Sequence, residues 1–277
     1  MFTDTHAHLS FPDFASDRPA TIARATAAGV TRIVSVATDL ADAHRVLAVA
    51  GQYPGVFAAV GLHPNHVPDS WRADLQQIAE LASQPKVVAI GETGLDYYRL
   101  PAVGRVTSRG AVSGDTADKA DAIKQQQQEM FQAHLELARH RHLPVIIHCR
   151  AADADTLAMV QANVPAWRPW GVMHCFAGNT QMALDCIELG LLISFTGIVT
   201  FKNAAALRTV AGAVPLESLL LETDSPYLAP IPQRGQRNEP AFIPHIADAL
   251  AQLKGVAVEN LARVTTANAQ RLFGWSD

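Results

Sequence analysis

The stretch PVIIHCRAADADTLAMVQAN, residues 144–163, contains the unit on which the fold is built. Its first half holds the predicted strand Val145–His148, in which the β-branched apolar residues Val145, Ile146 and Ile147 are typical of a strand that is buried on both faces. Its second half, Asp153–Asn163, has the alanine-rich composition and the length of a helix. The polar residues His148 and Arg150 lie between the two halves. The stretch therefore predicts a strand–helix pair with polar side chains where the strand ends.

The same pairing recurs along the chain. The predicted strands are Met1–Thr5, Val30–Ala37, Val56–Val60, Val87–Ile90, Val145–His148, Gly171–His174, Leu191–Phe195 and Leu219–Glu222. The predicted helices are Asp17–Ala28, Ala41–Gly51, Ser70–Ser83, Ile123–His142, Asp153–Asn163, Thr180–Leu189, Ala204–Ala213 and Phe242–Leu253. Eight pairs in succession predict an α/β fold, a closed parallel (β/α)8 TIM barrel. A doubly wound open sheet is the alternative, because one sequence does not reveal the order of the strands.

Two segments lie outside the regular pairs of a barrel domain that we expect to span residues 1–277. After the eighth pair, Val258–Arg263 and Thr265–Phe273 predict an extra C-terminal helix, in one piece or two. Between the fourth strand and its helix, residues 99–122 are rich in Gly, Ala and Asp and lack periodicity, so they predict a long loop.

Composition excludes several classes of protein. Hydrophobic residues make up 49% of the 277 residues, enough for a large core, and no apolar run reaches the roughly 18 residues of a membrane span. The amino terminus has no secretory signal, and three cysteines are too few for a disulfide framework. We therefore expect a reduced cytoplasmic protein without membrane contact, and favour a monomer. The net charge of −4 disfavours a wide groove for duplex DNA but permits a pocket that meets phosphate through metal ions.

Ligand-type residues gather at the predicted carboxyl ends of the strands, which meet at one mouth in a parallel barrel. His6 and His8 are two residues apart on the first strand, so their side chains point to the same face. A single histidine near an apolar strand is ordinarily a core or surface residue. Here, however, six ligand-type residues lie at strand ends of one predicted barrel: His6, His8, Glu92, His148, His174 and Asp224. Burying these groups together without cations would be costly. The set suits two divalent ions that share a bridging carboxylate and a bridging water.

Other residues near the strand ends are candidates for binding the substrate. His63 follows the third strand, where a role toward substrate or toward a ligand fits its position. Arg150 and Arg234 are candidates for binding phosphate, although either would equally fit an exposed surface. Aromatic residues that could stack on a terminal base are Tyr97, Phe176, Phe201 and Tyr227.

Four more residues flank the proposed ligands. Asp96 lies at the end of the fourth strand, and Glu222 shares the face of Asp224, where it would orient a ligand or contact the bridge. Cys149 and Cys175 directly follow two proposed ligands. Strand alternation predicts that these thiols point away from the barrel axis as buried structural residues.

The motifs at these positions resemble those of the TatD-type metal-dependent deoxyribonucleases, within the amidohydrolase-like barrels. The matching stretches cover nearly the whole chain: DTHAHL (Asp4–Leu9), GLHP (Gly61–Pro64), GETGLDYY (Gly91–Tyr98), PVIIHCR (Pro144–Arg150), MHCFAG (Met173–Gly178), SFTGIVTFKNA (Ser194–Ala204), LETDSPYLAP (Leu221–Pro230) and NAQRLF (Asn268–Phe273). The sixth and seventh of these are most similar to the YcfH-like branch of the family.

The resemblance implies a (β/α)8 barrel with two divalent metal ions, Mg²⁺, Mn²⁺ or Zn²⁺, and 3′→5′ removal of nucleotides from DNA. Carried over by position, the implied ligands are His6, His8 and Asp224 for one ion, His148 and His174 for the other, and Glu92 for both. Two features depart from the family pattern. Ala151 stands where an Asp is typical, so a partner of a ligand is missing there, and residues 99–122 are longer than expected.

These observations predict a divalent-metal-dependent hydrolase that shortens single-stranded DNA from its 3′ end, with a hydroxide held between two metal ions as the attacking group. Glu92 and Asp224 are the predicted catalytic residues, with Asp224 accepting the proton of the water. The alternative is an amide or ester hydrolase acting on a small molecule or on an aminoacyl-tRNA, because metal ligands do not specify the bond that is cleaved. A metal-stabilised binding scaffold without turnover is a third hypothesis.

Overall fold

The computed structural model describes residues 1–65, 67–68, 70–100 and 114–275, with side chains in the last segment described from Asp118 onward. Its strands are β1 (Phe2–Ala7), β2 (Val30–Val36), β3 (Val56–Val60), β4 (Val87–Asp96), β5 (Val145–Arg150), β6 (Gly171–Met173), β7 (Leu191–Phe195) and β8 (Leu219–Leu221). Each strand pairs in parallel with the next one along the chain, and an isolated bridge between Ala7 and Ser225 joins the first strand to the segment after the last. This confirms the (β/α)8 barrel. The open-sheet alternative is wrong, because its strand order would reverse within the sheet.

Helices follow the strands and cover the outside of the barrel. They are α1 (Arg18–Ala27), α2 (Leu40–Gln52), α3 (Trp71–Leu81), α4 (Gly114–Arg141), α5 (Asp153–Ala162), α6 (Thr180–Glu188), α7 (Ala205–Ala213), α8 (Ile243–Lys254) and α9 (Val258–Phe273). Side-chain caps fix the start of two of them, since Asp39 accepts a hydrogen bond from the Asp42 amide before α2 and Asn179 accepts one from Met182 before α6.

The apolar core has two layers because strand residues alternate between the two faces of the sheet. The larger layer lies between strands and helices, with Ile33, Val60 and Ile147 among its buried residues. The smaller layer is formed by residues of β2 to β8, such as Val34 and Ile146, together with the end of α9. Both faces of the strands are therefore covered, which explains their continuous apolar runs.

The predicted loop over residues 99–122 is wrong in its second part, because α4 begins at Gly114 rather than at Ile123. Only Ala120 is buried among the described side chains from Asp118 to Ala122. Over Asp118–Ala122, the part of this start whose side chains are described, the helix therefore presents no apolar stripe, and hydrophobic periodicity could not reveal it. Residues 101–113, the remainder of the predicted loop after Leu100, lie outside the described residues.

Glycines in β4 let this strand approach β5 closely. Gly91 and Gly94 have positive φ angles of 151° and 139°. A Cβ atom at Gly94 would collide with the carbonyl group of His148, and one at Gly91 would lie 2.8 Å from Cβ of Ile146. Side chains at these two positions would push the strands apart, so the glycines help to place Glu92 next to His148.

The predicted extra C-terminal helix is confirmed as the single helix α9. Its Asn268 amide group donates to the carbonyl groups of Leu216 and Leu219, where β8 begins, and the Thr266 hydroxyl lies 3.4 Å from the Met1 carbonyl, before β1. The helix therefore covers the amino ends of the strands. Among the described helices, none is both long and apolar enough to cross a membrane.

Candidate metal centre

The carboxyl ends of the strands surround an open cavity of about 920 Å³. Its lining includes His8, Glu92, His148, His174 and Asp224. His6 is fully buried; its ring is stacked on that of His174 at 3.6 Å, and its Nε2 is 3.3 Å from Nε2 of His8. The barrel therefore brings all the residues predicted as metal ligands together, although they are widely separated in the chain.

One group of ligand-type atoms comes from β1 and the segment after β8. His6 Nε2 and His8 Nε2 lie 3.9 Å and 3.4 Å from Oδ1 of Asp224. Asp224 has a φ of 54°, and its amide donates to the carbonyl group of His6 at 2.9 Å. This hydrogen bond fixes the carboxylate beside the two imidazoles, so the three side chains could hold one cation.

Glu92 lies between this group and a second one. Its Oε2 is 3.4 Å from Nε2 of His6. Its Oε1 is 2.7 Å from Nδ1 of His148, 3.6 Å from Nε2 of His174 and 3.4 Å from Nε2 of His63. Since the two oxygens face different sets of imidazoles, Glu92 has the position of a carboxylate that two cations could share.

Oxygen atoms next to the outer nitrogens fix the orientation of two of the imidazoles. His8 Nδ1 is 3.0 Å from the carbonyl oxygen of Val36, which can only accept, so the neutral ring carries its proton there. His174 Nδ1 is 2.9 Å from Oε1 of Glu222, which favours a proton at the same position. In both rings the Nε2 lone pair then points into the centre, as a metal ligand requires.

Charge compensation in the centre shifts several pKa values. Burial opposes the charged form of Glu92, but the charges of His63 and His174 and the hydrogen bonds of His148 and His6 together outweigh burial and hold the pKa of Glu92 well below 4.5. Burial also opposes the charged form of Asp224, but the hydrogen bond to His8 and the charges of His174, His6 and His8 together outweigh it and lower the Asp224 pKa. For His174, the carboxylates of Glu222 and Glu92 outweigh burial and raise its pKa to about 10. Protons on the imidazoles thus balance the buried carboxylates in the metal-free chain.

The donor set fits divalent cations. The Nε2 atoms of His6 and His8 face each other, and two unprotonated nitrogens at 3.3 Å would repel unless a proton or a cation lies near both. Nδ1 of His6 is buried without a hydrogen-bond partner. Imidazole nitrogens together with the carboxylates of Glu92 and Asp224 are the ligands that Zn²⁺ and Mn²⁺ accept.

The substrate-binding candidates lie in different places. His63 contacts Glu92 within the centre, while Arg150 lines the cavity and its guanidinium group lies 3.9 Å from the centre of the exposed Tyr98 ring. Arg234 is stacked in the same way on Phe201, in the exposed segment after β8, and is outside the described lining of the cavity. The structure therefore brings His63 and Arg150, but not Arg234, to the cavity.

Among the aromatic candidates, Tyr227 lines the cavity and is 53% exposed, whereas Phe176 is buried. The Tyr97 hydroxyl donates to Asp155 at 2.8 Å. Tyr227 is thus the predicted aromatic residue with an accessible ring beside the centre.

Sequence reasoning gave no role to Asp4, which is fully buried in β1. Its carboxylate accepts hydrogen bonds from the amide of His6, the amide of Thr223 and, at 2.6 Å, the hydroxyl of Thr223. Burial raises its pKa to about 7 despite these hydrogen bonds. Asp4 precedes His6 by two residues, the spacing that had identified His6 and His8, so the same alternation could have revealed it.

Asp96 and Glu222 contact the ligand-type histidines. Asp96 Oδ2 lies 3.3 Å from Nε2 of His148, and Glu222 Oε1 accepts from the amide of Cys175 besides its contact with His174. Ala151 occupies the position where an aspartate was expected as a partner. The carboxylate beside the outer nitrogen of His148 comes instead from β4.

The prediction that Cys175 points away from the barrel axis is wrong. Its sulfur forms a group of ligand-type atoms with His174 and Asp224, and the residue lines the cavity. The strand β6 already ends at Met173, and Cys175 has a φ of 44°, so strand alternation does not apply to it. Cys149 also lines the cavity, from within β5.

Comparison with known proteins identifies the family. The family model of TatD-related DNases matches residues 3–274. The chain is 41% identical over 276 residues to the uncharacterized metal-dependent hydrolase YcfH of Escherichia coli K12, covering 99% of this chain and 96% of that protein. It is 36% identical to the 3′-5′ ssDNA/RNA exonuclease TatD of Citrobacter rodentium, covering 98% and 97%.

A solved structure shows the same architecture. The crystal structure of YJJV, a TatD homolog from Escherichia coli K12, has a TM-score of 0.85 and 33% identity, covering 99% of this chain and 98% of that one. The family match spans the strands that carry the candidate metal centre. The chain is therefore a metal-dependent hydrolase that belongs to the TatD-related DNase family.

Proposed function

We propose that this protein is a two-metal nuclease that removes nucleotides from the 3′ end of single-stranded DNA. The observation that supports it most directly is the position of Glu92, whose two carboxylate oxygens face separate groups of imidazoles at the base of an open cavity. A pair of cations held about a shared carboxylate is the arrangement that serves phosphodiester hydrolysis in many nucleases. The name of the Citrobacter relative agrees with this substrate class.

The proposed ligands divide into two sets that share one carboxylate. His6, His8 and Asp224 would hold one divalent cation, His148 and His174 the other, and Glu92 both. Cations bound there would supply Lewis acidity toward a phosphate oxygen and would lower the pKa of a water molecule.

The protein residues would transfer protons and orient the phosphate. Asp224 is ionised and partly accessible, with a side chain 15% exposed, so it can accept the proton of an attacking water and return it to the leaving oxygen. His63 receives a hydrogen bond at Nδ1 from the amide of Asn65, so the neutral ring carries its proton on Nε2. That N–H group faces the centre and can donate to a phosphate oxygen. Arg150 lines the same cavity and can bind an adjacent phosphate.

Exposed aromatic rings at the mouth support a single-stranded substrate. Tyr98, which follows β4, is 66% exposed and is stacked with Arg150. Tyr227, which follows β8, is 53% exposed and lies edge-on to Phe11 at 6.4 Å. Since β4 and β8 are four strands apart in a barrel of eight, these rings flank the centre from opposite sides. Stacking of unpaired bases on such rings contributes about 1–3 kcal/mol for each base.

The test is a product ladder from a 5′-labelled single-stranded oligonucleotide incubated with Mn²⁺. We expect progressive shortening from the 3′ end, abolished by a chelator and by an inverted 3′-terminal nucleotide. Asp224→Asn and His174→Ala should each reduce the rate by about 100-fold or more, since both sets of ligands act in one step. Glu259→Gln, on the exposed surface of α9, is the matched control and should keep full activity.

Two results would contradict the proposal. Full activity of Asp224→Asn or His174→Ala would remove the proposed centre. Inactivity of the wild-type protein toward every nucleic acid, combined with metal-dependent cleavage of amide or ester substrates in the same assay, would assign the centre to a different bond.

A further inference from the structure

Two imidazoles contact the same oxygen of Glu92 through different nitrogens. His63 approaches Oε1 of Glu92 with Nε2 at 3.4 Å, and His148 approaches it with Nδ1 at 2.7 Å. The rings lie 4.5 Å apart, edge to face. The contact made by the other nitrogen of each ring determines whether the ring directs an N–H group or a lone pair at the centre.

A backbone amide determines the proton position on His63. The N–H group of Asn65 donates to His63 Nδ1 at 3.0 Å, so this nitrogen must be the acceptor. The proton of the neutral ring is then on Nε2, which faces Glu92. His63 therefore presents a donor to the centre and is unsuited to ligate a cation through Nε2.

A carboxylate determines the proton position on His148. Its Nε2 lies 3.3 Å from Oδ2 of Asp96, which is 1% exposed. A proton on Nε2 satisfies this buried carboxylate. Nδ1 donates to Glu92 at 2.7 Å, so its proton is the one that a cation in the centre would displace, which would leave the Nδ1 lone pair to the cation. With a cation bound, both rings would carry their proton on Nε2, but His63 would direct this N–H group at the centre whereas His148 would direct its Nδ1 lone pair there.

Asn65 contacts both of the groups that determine these proton positions, His63 Nδ1 and the Asp96 carboxylate. Its side-chain amide donates to Asp96 Oδ2 at 3.0 Å, while its backbone amide holds His63. The amide of Tyr98 donates to the other oxygen, Oδ1, at 3.0 Å. The backbone of Asp96 is fixed in turn by Gln127 of α4, which accepts from its N–H at 2.9 Å and donates to its carbonyl group at 3.1 Å.

We propose that Asn65 and Asp96 are a positioning pair that assigns His148 to bind a cation and His63 to donate a hydrogen bond to the substrate. Both residues line the cavity, but the role proposed for the pair is exerted through the two imidazoles. The part that concerns substrate rests on the proposed function, whereas the part that concerns cation binding does not.

Replacement of Asp96 by asparagine reverses the preference at His148 without changing the size of the side chain. Oδ1 must remain an acceptor for the amide of Tyr98, so the new NH₂ group takes the place of Oδ2. It then faces Nε2 of His148 as a donor, which favours a proton on Nδ1 and removes the lone pair from the centre.

The experiment measures Mn²⁺ binding by calorimetry and the histidine proton positions by ¹⁵N NMR of the Zn²⁺-loaded protein. In the wild type we expect protons on Nε2 of both His63 and His148. Asp96→Asn should weaken binding of one cation by about 10- to 100-fold. Asn65→Ala should weaken it less and leave the proton of His63 on Nε2, because the backbone amide of residue 65 is retained.

Asp155→Asn is the matched control. Asp155 accepts from Tyr97 and is outside the described lining of the cavity, so the same carboxylate-to-amide change there should leave Mn²⁺ affinity unaltered. Wild-type Mn²⁺ affinity in Asp96→Asn, or a proton on Nδ1 of His148 in the wild type, would overturn the inference. Neither readout needs a substrate, so a protein that binds as expected but cleaves no nucleic acid would refute only the proposed function. Asn65→Ala keeps the test open should Asp96→Asn not fold.

Discussion

Proton placement on single imidazoles decides what the centre can do. Val36 and Glu222 lie next to the outer nitrogens of His8 and His174 and favour protons there, so the inner nitrogens are the ones that become available when a cation displaces their protons. His63 presents its proton inward instead. Histidines that look equivalent in the sequence therefore have different chemistry, because each has a different partner on its second nitrogen.

The raised pKa of His174 gives a prediction for the metal-free protein. Burial, which lowers this pKa, is outweighed by Glu222 and Glu92, so the pKa rises from 6.5 to about 10 on folding. A raised folded-state pKa contributes stability that is complete below the unfolded value and is lost as the pH rises through the folded value. In a chelator, the stability difference between wild type and His174→Gln should therefore shrink between pH 6 and pH 9.

Denaturant unfolding of both proteins at each pH measures this difference, and the comparison cancels the titrating groups that lie away from the centre. An equal difference at both pH values would contradict the prediction. Added Mn²⁺ should show the opposite trend and stabilise the wild type more at the higher pH, because a cation must displace the proton.

Among the elements, the seam between β1 and β8 differs from the other strand pairs. The neighbouring strands from β1 to β8 form ladders, but the seam has an isolated bridge between Ala7 and Ser225. The buried carboxylate of Asp4 adds hydrogen bonds across it to Thr223. The same seam carries His6 on one side and Asp224 on the other, so its geometry controls one group of the proposed ligands.

Thr223→Val tests this role with a side chain of the same shape. The variant removes the hydroxyl group that donates to Oδ2 of Asp4 but keeps the backbone amide that donates to Oδ1. One oxygen of a buried carboxylate then loses its hydrogen bond, which should lower the free energy of unfolding by about 1–3 kcal/mol. Denaturant unfolding in a chelator measures the loss, and Thr209→Val, on the exposed face of α7, is the control. Unchanged stability of Thr223→Val would show that Asp4 does not hold the seam.

At the scale of the whole molecule, one end of the barrel carries the candidate metal centre and the other end is closed by apolar packing. The carboxyl ends of the strands surround the candidate metal centre, while α9 and Trp275 close the amino ends. Trp275 is stacked on Phe57 and Phe273 at 4.6 Å and 4.9 Å and is 7% exposed. The apolar interior of the barrel separates the two ends.

Trp275→Ala should therefore reduce stability without affecting cation binding. Loss of the ring from this packed cluster should cost about 3 kcal/mol of unfolding free energy. Mn²⁺ affinity, measured by calorimetry well below the unfolding temperature, should equal that of the wild type. A parallel loss of affinity would contradict the separation of the two ends.

Much of this molecule was determined by its sequence alone. Apolar runs and helical stretches predicted the eight strands and the α-helices of the described barrel, but not its short 3-10 helices, because burial on both faces imposes a local pattern. The pattern failed at the start of α4, where Asp118 and Ala122 are exposed and no apolar stripe exists. Residue type at the strand ends was also sufficient to identify the side chains that meet in the centre.

Only the tertiary structure decided how those side chains are arranged. It brought together three pairs of residues that are 48 to 219 positions apart in the chain. They are Asp4 with Thr223, Asp96 with His148, and Glu222 with His174. Proton positions follow from such pairs, because a nitrogen's role depends on the donor or acceptor placed next to it in space. No local pattern encodes that neighbour, so the chemistry of each histidine emerges only once the barrel has closed.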